Sequence, residues 1–259
     1  MVIGIPTEIL EREHRVAALP EEVAAYVSMG FDVVIEAGAG EGSLHSDDEY
    51  RAAGATVIAG PREVFSAADV VLKVKQPHLN EVLGQHEAEM IREGTILVTF
   101  LHPAAPANHD IVRTLRDRGV TSLTMDGIPR ISRAQSMDAL SSMSTVTGYK
   151  SVIMATAALP RFVPMIGTAI GATKPAEFLV IGTGVVGLQA IATAKRLGAV
   201  VKAVDIRAAA REEATSLGAK VVGFEAPDEY AIGEGGYAGM LPDDWLARER
   251  EALAPLVSS

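Results

Sequence analysis

Apolar and polar positions along this chain follow two alternating periods. Short β-branched runs at residues 2–5, 32–36, 70–75, 96–101 and 121–125, with a weaker one at 56–58, read as strands. Between them, residues 20–29, 47–53 and 108–118 carry apolar side chains three and four apart, the spacing of an amphipathic helix. Pro20, followed by Glu21 and Glu22, has the chemistry of a helix start, where unpaired N–H groups favour negative charge. Gly or Pro marks most of the joints. Alternation of this kind predicts a mainly parallel sheet covered by helices on both faces.

A second unit opens near residue 173. The apolar strand Phe178-Leu179-Val180-Ile181 runs into Gly182-Thr183-Gly184-Val185-Val186-Gly187, and a helix follows through residues 188–197 with Gly198 placed to cap it. A further strand at 200–204 ends on Asp205. This is a GxGxxG fingerprint in the context it requires: strand, glycine turn, helix, strand, then an acid about 20 residues on. Gly182 makes the tight turn, Gly184 lets the backbone approach a pyrophosphate, and Gly187 lets the helix pack closely on its strand. Asp205 is placed to accept hydrogen bonds from an adenosine ribose and to repel a 2′-phosphate, which favours NAD(H). Arg207 pulls the other way, since a nearby arginine accommodates a 2′-phosphate; it reads equally as a solvated residue at the next helix start.

Residues 151–172 are strongly apolar but interrupted by Pro160, Arg161 and Pro164, so a buried helix pair is expected there and not a membrane span. The division that follows is an N-terminal α/β domain at 1–143, linking helices at 144–172 and a dinucleotide-binding domain at 173–259. That last domain has strands at 178–181, 200–204 and 220–222, then a glycine-rich loop and a helix near 244–253. A full dinucleotide-binding domain has about six strands, so the fold class is α/β with two Rossmann-like parallel-sheet domains, the second incomplete. An open sheet edge should then associate or leave the chain locally disordered beyond about residue 222, with 233–239 the most mobile stretch.

Charge and composition narrow the function. The 33 acidic side chains outnumber the 23 Lys and Arg, leaving a net charge of −10 over 259 residues, which argues against a nucleic-acid partner. With no cysteine, disulfides, thiolate catalysis and zinc–thiolate sites are all removed; no metal site is expected, and a cytoplasmic setting suits the chain. The N-terminal apolar run is too short for a signal peptide, and no direct membrane insertion is expected.

Between the two units lies Pro129-Arg130-Ile131-Ser132-Arg133-Ala134-Gln135-Ser136-Met137-Asp138-Ala139-Leu140-Ser141-Ser142-Met143. It reads as a polar loop entering a helix, with Arg130, Arg133, Gln135, Asp138 and Ser141 able to share one ligand face, or equally as a solvated connector with Ser136 as a helix cap. Residues 130–142 resemble the nicotinamide-side loop of the NAD(H)-binding component, domain I of the alpha subunit, of proton-translocating NAD(P) transhydrogenase. The resemblance covers nearly the whole chain, including Gly4-Ile5-Pro6-Thr7-Glu8, Arg15-Val16-Ala17, Glu36-Ala37-Gly38-Ala39-Gly40, Leu72-Lys73-Val74 and the stretches 178–187 and 189–199. The N-terminal motifs are shared with the sister family alanine dehydrogenase; the 130–142 run separates the two.

The resemblance implies that Arg130 orients a nicotinamide carboxamide, that Gln135 brings the second nucleotide close, and that Asp138 and Ser141 hold the dihydronicotinamide. It implies that Gly182, Gly184 and Gly187 contact the pyrophosphate of NAD, with Asp205 on the ribose; Thr183, Val185, Val186 and Arg207 are counted with them as cofactor-binding residues. Tyr237, in Gly235-Gly236-Tyr237-Ala238, matches a mobile loop that closes over the nucleotide, although the stretch also reads as a plain linker. Hydride would pass directly from NADH to NADP⁺ on a partner. The partners so implied are the NADP-binding and membrane-spanning transhydrogenase components and a second copy in a homodimer. The setting so implied is peripheral to the inner (plasma) membrane through those subunits. The rival is an alanine-dehydrogenase-like oxidoreductase in which Arg15 and Lys75 hold a carboxylate substrate and His102 is the acid/base, or a short nucleotide-binding chain inactive on its own.

Overall fold

The structure is a computed structural model that describes residues 1–129, 131–169, 171–233 and 238–257. The chain divides into two compact units, residues 1–138 and 139–259.

In the first unit the strands are β1 (Val2–Ile5), β2 (Asp32–Glu36), β3 (Thr56–Ile58), β4 (Val70–Lys75), the two-residue pair β5 (Leu79–Asn80) and β6 (Gln85–His86), β7 (Ile96–Phe100) and β8 (Thr121–Thr124). The helices are α1 (Pro20–Ser28), α2 (Asp47–Ala52), α3 (Pro61–Ala67), α4 (Glu87–Met90) and α5 (His109–Asp117). Six strands form one sheet in the order β3-β2-β1-β4-β7-β8, and every pairing in it is parallel. The order reverses direction between β1 and β4, the kind of switch point at whose carboxyl strand ends open α/β sheets bind ligands. Two cores cover the faces, one around Ile3, Ile5, Val33 and Ile35 with Val23 and Tyr50, the other around Val71 and Leu97 with Phe65, Ile91 and Leu115. Tyr50 is fully buried yet satisfied, because its hydroxyl donates to the Ala18 carbonyl at 3.0 Å.

The second unit begins with α6 (Ala139–Ala158), followed by a short antiparallel pair, β9 (Gly167–Thr168) and β10 (Gly171–Ala172). It continues with β11 (Glu177–Ile181), α7 (Val185–Arg196), β12 (Val200–Val204), α8 (Ala208–Ser216), β13 (Lys220–Val221), α9 (Asp228–Ala231) and α10 (Asp243–Val257). Among the described residues its main sheet is β11-β12-β13, all parallel. Ile191 and Ala194 of α7 pack with Val152 of α6 and with Val201 and Ala203 of β12.

The helix pair expected at 151–172 is not what forms. One helix continues to Ala158, and the described residues of the rest of that stretch are irregular chain and the β9–β10 pair. Pro160 and Pro164 lack the N–H that a second helix would need, and extended backbone is the arrangement they tolerate. The helix also starts at Ala139, so Ser136 lies within the preceding 3-10 turn (Ser132–Met137) and does not cap it. Among the described residues no helix is long and apolar enough to cross a membrane.

Candidate functional site

β11 delivers the chain into the glycine turn. Gly182 has φ +85°, a left-handed conformation that a side chain would strain, and its N–H donates to the Val204 carbonyl at 2.8 Å. A Cβ on Gly187 would overlap the Gly182 carbonyl oxygen, so the first turn of α7 can lie this close to β11 only with glycine there. At Gly182 and Gly184 the situation is the reverse: nothing lies within 4 Å of where a Cβ would sit. The backbone there is open to an approaching ligand. Gly184 is the N-cap of α7, and the helix's first N–H groups have no intrahelical acceptor by position. The turn therefore has the donors, the dipole and the clearance that a pyrophosphate needs. Val185 and Val186, on the first turn of the helix, are exposed.

Asp205 follows β12 and is 7% exposed. Its Oδ2 accepts from the Thr183 N–H at 2.7 Å and Arg207 Nη2 at 2.9 Å, and the Thr183 hydroxyl oxygen lies 3.1 Å from it. Its Oδ1 accepts from the Arg207 N–H at 2.9 Å and from Arg207 Nε at 3.0 Å. Burial by itself would raise the Asp205 pKa, but the Arg207 guanidinium and the amides of Arg207 and Thr183 outweigh it and hold the carboxyl at about 2. The Thr183 hydroxyl also donates to the Ala210 carbonyl at 2.9 Å, tying the glycine turn to α8. Arg207 does stand at the next helix start, as the N-cap of α8, but its side chain lies against Asp205 and is 23% exposed, not solvated.

The 130–142 run crosses the boundary between the two units, with Gln135 and Asp138 in the first and Ser141 in the second. Gln135 stands exposed on the 3-10 turn, and its carbonyl accepts from the Asp138 N–H at 3.3 Å. Asp138 and Ser141 are half-buried, Asp138 just after that turn and Ser141 in the first turn of α6. Arg130 and Tyr237 lie outside the described residues.

In the first unit, the carboxyl ends of the strands gather charges that the sequence pattern did not announce. Lys73 is 5% exposed, with its Nζ 3.0 Å from Glu87 Oε1 and 3.4 Å from Glu8 Oε2. The β4–β7 register shifts between Leu72 and Lys75, and the amides of Val74 and Lys75 donate to Glu8 at 2.6 and 3.3 Å. Burial pushes the Glu8 pKa up against the pull of Lys73 and those amides. A lysine on the inward side of the run Val70-Val71-Leu72-Lys73 was the available signal, because a buried cation requires a buried acid.

His102, just beyond β7, has φ +49°, a costly conformation for a histidine. Its N–H donates to Asp126 Oδ2 at 2.8 Å, and its Nδ1 lies 2.6 Å from Asp126 Oδ1. Burial works to raise the Asp126 pKa, and the Thr124 hydroxyl together with His102 brings it below the usual value. The pattern of 121–125 hides Asp126 by reading as continuous strand, whereas β8 stops at Thr124 and the 3-10 turn Met125–Gly127 swings the acid beneath His102. Arg15 is bound to Glu13, with its Nε donating to Oε1 at 2.7 Å, and that pairing lowers the Glu13 pKa.

Comparison with known proteins gives a consistent set of relatives. The family models described as alanine dehydrogenase/PNT, N-terminal domain, and alanine dehydrogenase/PNT, C-terminal domain, match residues 4–147 and 151–255. The chain is 45% identical over 257 residues to the first of the chains that make up NAD(P) transhydrogenase subunit alpha in Rhodospirillum rubrum, covering 98% of this chain and 65% of that protein. Alanine dehydrogenase of Methanococcus maripaludis is 36% identical over 209 residues, 80% of this chain and 53% of the relative. The crystal structure of transhydrogenase from Sinorhizobium meliloti matches with a TM-score of 0.84 at 38% identity, covering 100% of this chain and 67% of that one. An L-alanine dehydrogenase structure matches at 0.73 and 30% identity, over 85% of this chain and 60% of the other.

Proposed function

The chain belongs to the alanine dehydrogenase/PNT family, and from that premise we propose that it is the NAD(H)-binding part of a proton-translocating transhydrogenase. The observation that carries the nucleotide reading is the open glycine turn at Gly182 and Gly184, set against the first N–H groups of α7, which by position have no intrahelical acceptor, and followed by Asp205. The transhydrogenase reading is supported by the 130–142 run and by the 45% identity to an alpha-subunit chain, of which this one spans 65%.

In this reading the amides at the start of α7 hold the pyrophosphate and Asp205 takes the adenosine ribose. Once bound, the dinucleotide supplies the hydride from its dihydronicotinamide. The chain's own work is to orient that ring and exclude water, so no general acid or base is required. Gln135, Asp138 and Ser141, with Arg130, would do the orienting, and Tyr237 would close over the nucleotide. The acceptor is NADP⁺ on a partner component, and the full assembly includes membrane-spanning components and a second copy of this chain. That assembly would keep the chain peripheral to the cytoplasmic face of the membrane.

The test is calorimetric titration with NADH, followed by stopped-flow hydride transfer to an NADP⁺ analogue in the presence of the NADP-binding component. Failure to bind NADH would sink the reading at its base.

The His102–Asp126 pair supports a second reading, an alanine-dehydrogenase-like oxidoreductase. A carboxylate 2.6 Å from Nδ1 orients an imidazole as an acid/base, and pure hydride transfer has no use for one. Turnover of alanine with NAD⁺, lost in His102→Ala, would favour it.

A further inference from the structure

Asp205 has no acceptor capacity to spare. An ionised carboxylate offers about four lone-pair positions, and four donors fill them: the Thr183 N–H and the N–H, Nε and Nη2 of Arg207. Two ribose hydroxyls cannot be added to that set. The Thr183 N–H cannot leave without unmaking the glycine turn, since the side chain of the same residue is held by the Ala210 carbonyl. The Arg207 amide is backbone. It is also fixed indirectly, because Arg211 Nη1 donates to the carbonyls of Asp205 and Ile206 at 3.3 and 3.1 Å and pins that corner. What can move is the Arg207 guanidinium.

We propose that Arg207 is a latch over the ribose site and the residue that sets the choice between NAD(H) and NADP(H). Closed, it occupies both oxygens of Asp205; open, it frees them for the ribose hydroxyls and places a planar cation beside the 2′ position. The inference rests on the nucleotide-binding reading above and deepens it. A latch of this kind reduces apparent affinity by the fraction of molecules in which it is open, so removing it should tighten NADH binding. The freed guanidinium is also the group that would offset the repulsion between Asp205 and a 2′-phosphate, because its donor fork matches a phosphate. One residue thus weakens NADH binding while supporting NADPH, which narrows the gap between them.

The test is isothermal titration of the full chain with NADH and NADPH, in the unmodified protein and in Arg207→Met and Arg207→Lys. Methionine keeps the length and removes every donor. Arg207→Met should tighten NADH on the order of tenfold, the equivalent of one charge-assisted hydrogen bond, and should weaken NADPH, so the ratio of the two dissociation constants widens. Arg207→Lys loses the fork but keeps the charge, and should tighten both nucleotides relative to the unmodified chain. Melting curves establish that each variant is folded; if methionine fails there, lysine decides. NADH affinity that falls or stays unchanged in the folded variants overturns the latch while leaving nucleotide binding intact. Binding of neither nucleotide by any of the three proteins overturns both readings together.

Discussion

Two ionised clusters, one in each unit, place opposite demands on single residues. At Asp205, burial disfavours the charge and three groups of donors restore it, leaving the carboxyl at about 2 against the 3.8 of a free aspartate. A lowered carboxylate pKa contributes stability that is fully present above the unfolded value and is lost as pH falls through the folded one. The second unit should therefore keep this contribution down to about pH 4 and lose it toward pH 2, and Asp205→Asn should flatten that part of a pH–stability profile measured by urea denaturation. In binding, Asp205→Ala should weaken NADH and narrow its advantage over NADPH; an unmodified chain that prefers NADPH would remove Asp205 from the ribose role. Lys73 presents the harsher case, because Glu8 and Glu87 share it at 8% and 1% exposure. Removing one member of a buried ionic group strands the others, at a cost of about 3–5 kcal/mol. Lys73→Met should destabilise the first unit by that order in chemical denaturation, and adding Glu8→Gln and Glu87→Gln should recover much of the loss.

Among the elements, α6 and α7 show what a sequence can and cannot say about packing. A Cβ on buried Gly148 of α6 would overlap the Val186 carbonyl oxygen and come within 3.0 Å of Gln189 Cβ. The glycine lets α6 lie directly against the first turn of α7, the turn proposed to hold the pyrophosphate. Gly148→Ala should thus do more than cost stability: it should displace that turn and weaken NADH binding at least several-fold, whereas an alanine at exposed Ser142 should do neither. Unchanged NADH affinity in a folded Gly148→Ala chain would uncouple the two helices. The β-branched strands and the fingerprint are readable because their patterns are strong and local. The extent of α6 is not, because its first half is rich in Ser and Thr, which usually signal loop; here Thr145, Thr147 and Ser151 turn their hydroxyls back onto the carbonyls four residues earlier. The β9–β10 pair of Gly, Thr and Ala has no periodicity to read. The Asp205–Arg207 contact is unreadable for a different reason: a carboxylate and a guanidinium two residues apart pair only if the backbone turns between them.

At the scale of the whole molecule, the glycine turn lies in the second unit and the His102–Asp126 pair in the first, and that separates the two proposed functions experimentally. A ligand that binds only the native state raises its stability by RT ln(1 + [L]/Kd), about 2.7 kcal/mol at a hundredfold excess over Kd. Amide exchange reports where that stabilisation is felt. If the open turn at Gly182 and Gly184 is the nucleotide site, NADH should slow exchange most in α7, β12 and the segment around Asp205. The amides of β13 should respond less, because that strand is two residues long and pairs with β12 through only Lys220 and Val221. The first unit has a six-stranded sheet with its own two cores, and the central amides of β1, β4 and β7 should be the slowest to exchange with or without ligand. The alanine-dehydrogenase-like reading makes a different demand. Its substrate must meet Arg15, Lys75 and His102, so pyruvate added with NADH should further slow the amides near residues 100–103, including the His102 N–H held by Asp126. Under the transhydrogenase reading pyruvate should change nothing, and protection should stay confined to the pattern produced by NADH. Pyruvate-dependent slowing at His102 would move the chemistry to the first unit and leave the glycine turn with cofactor binding alone.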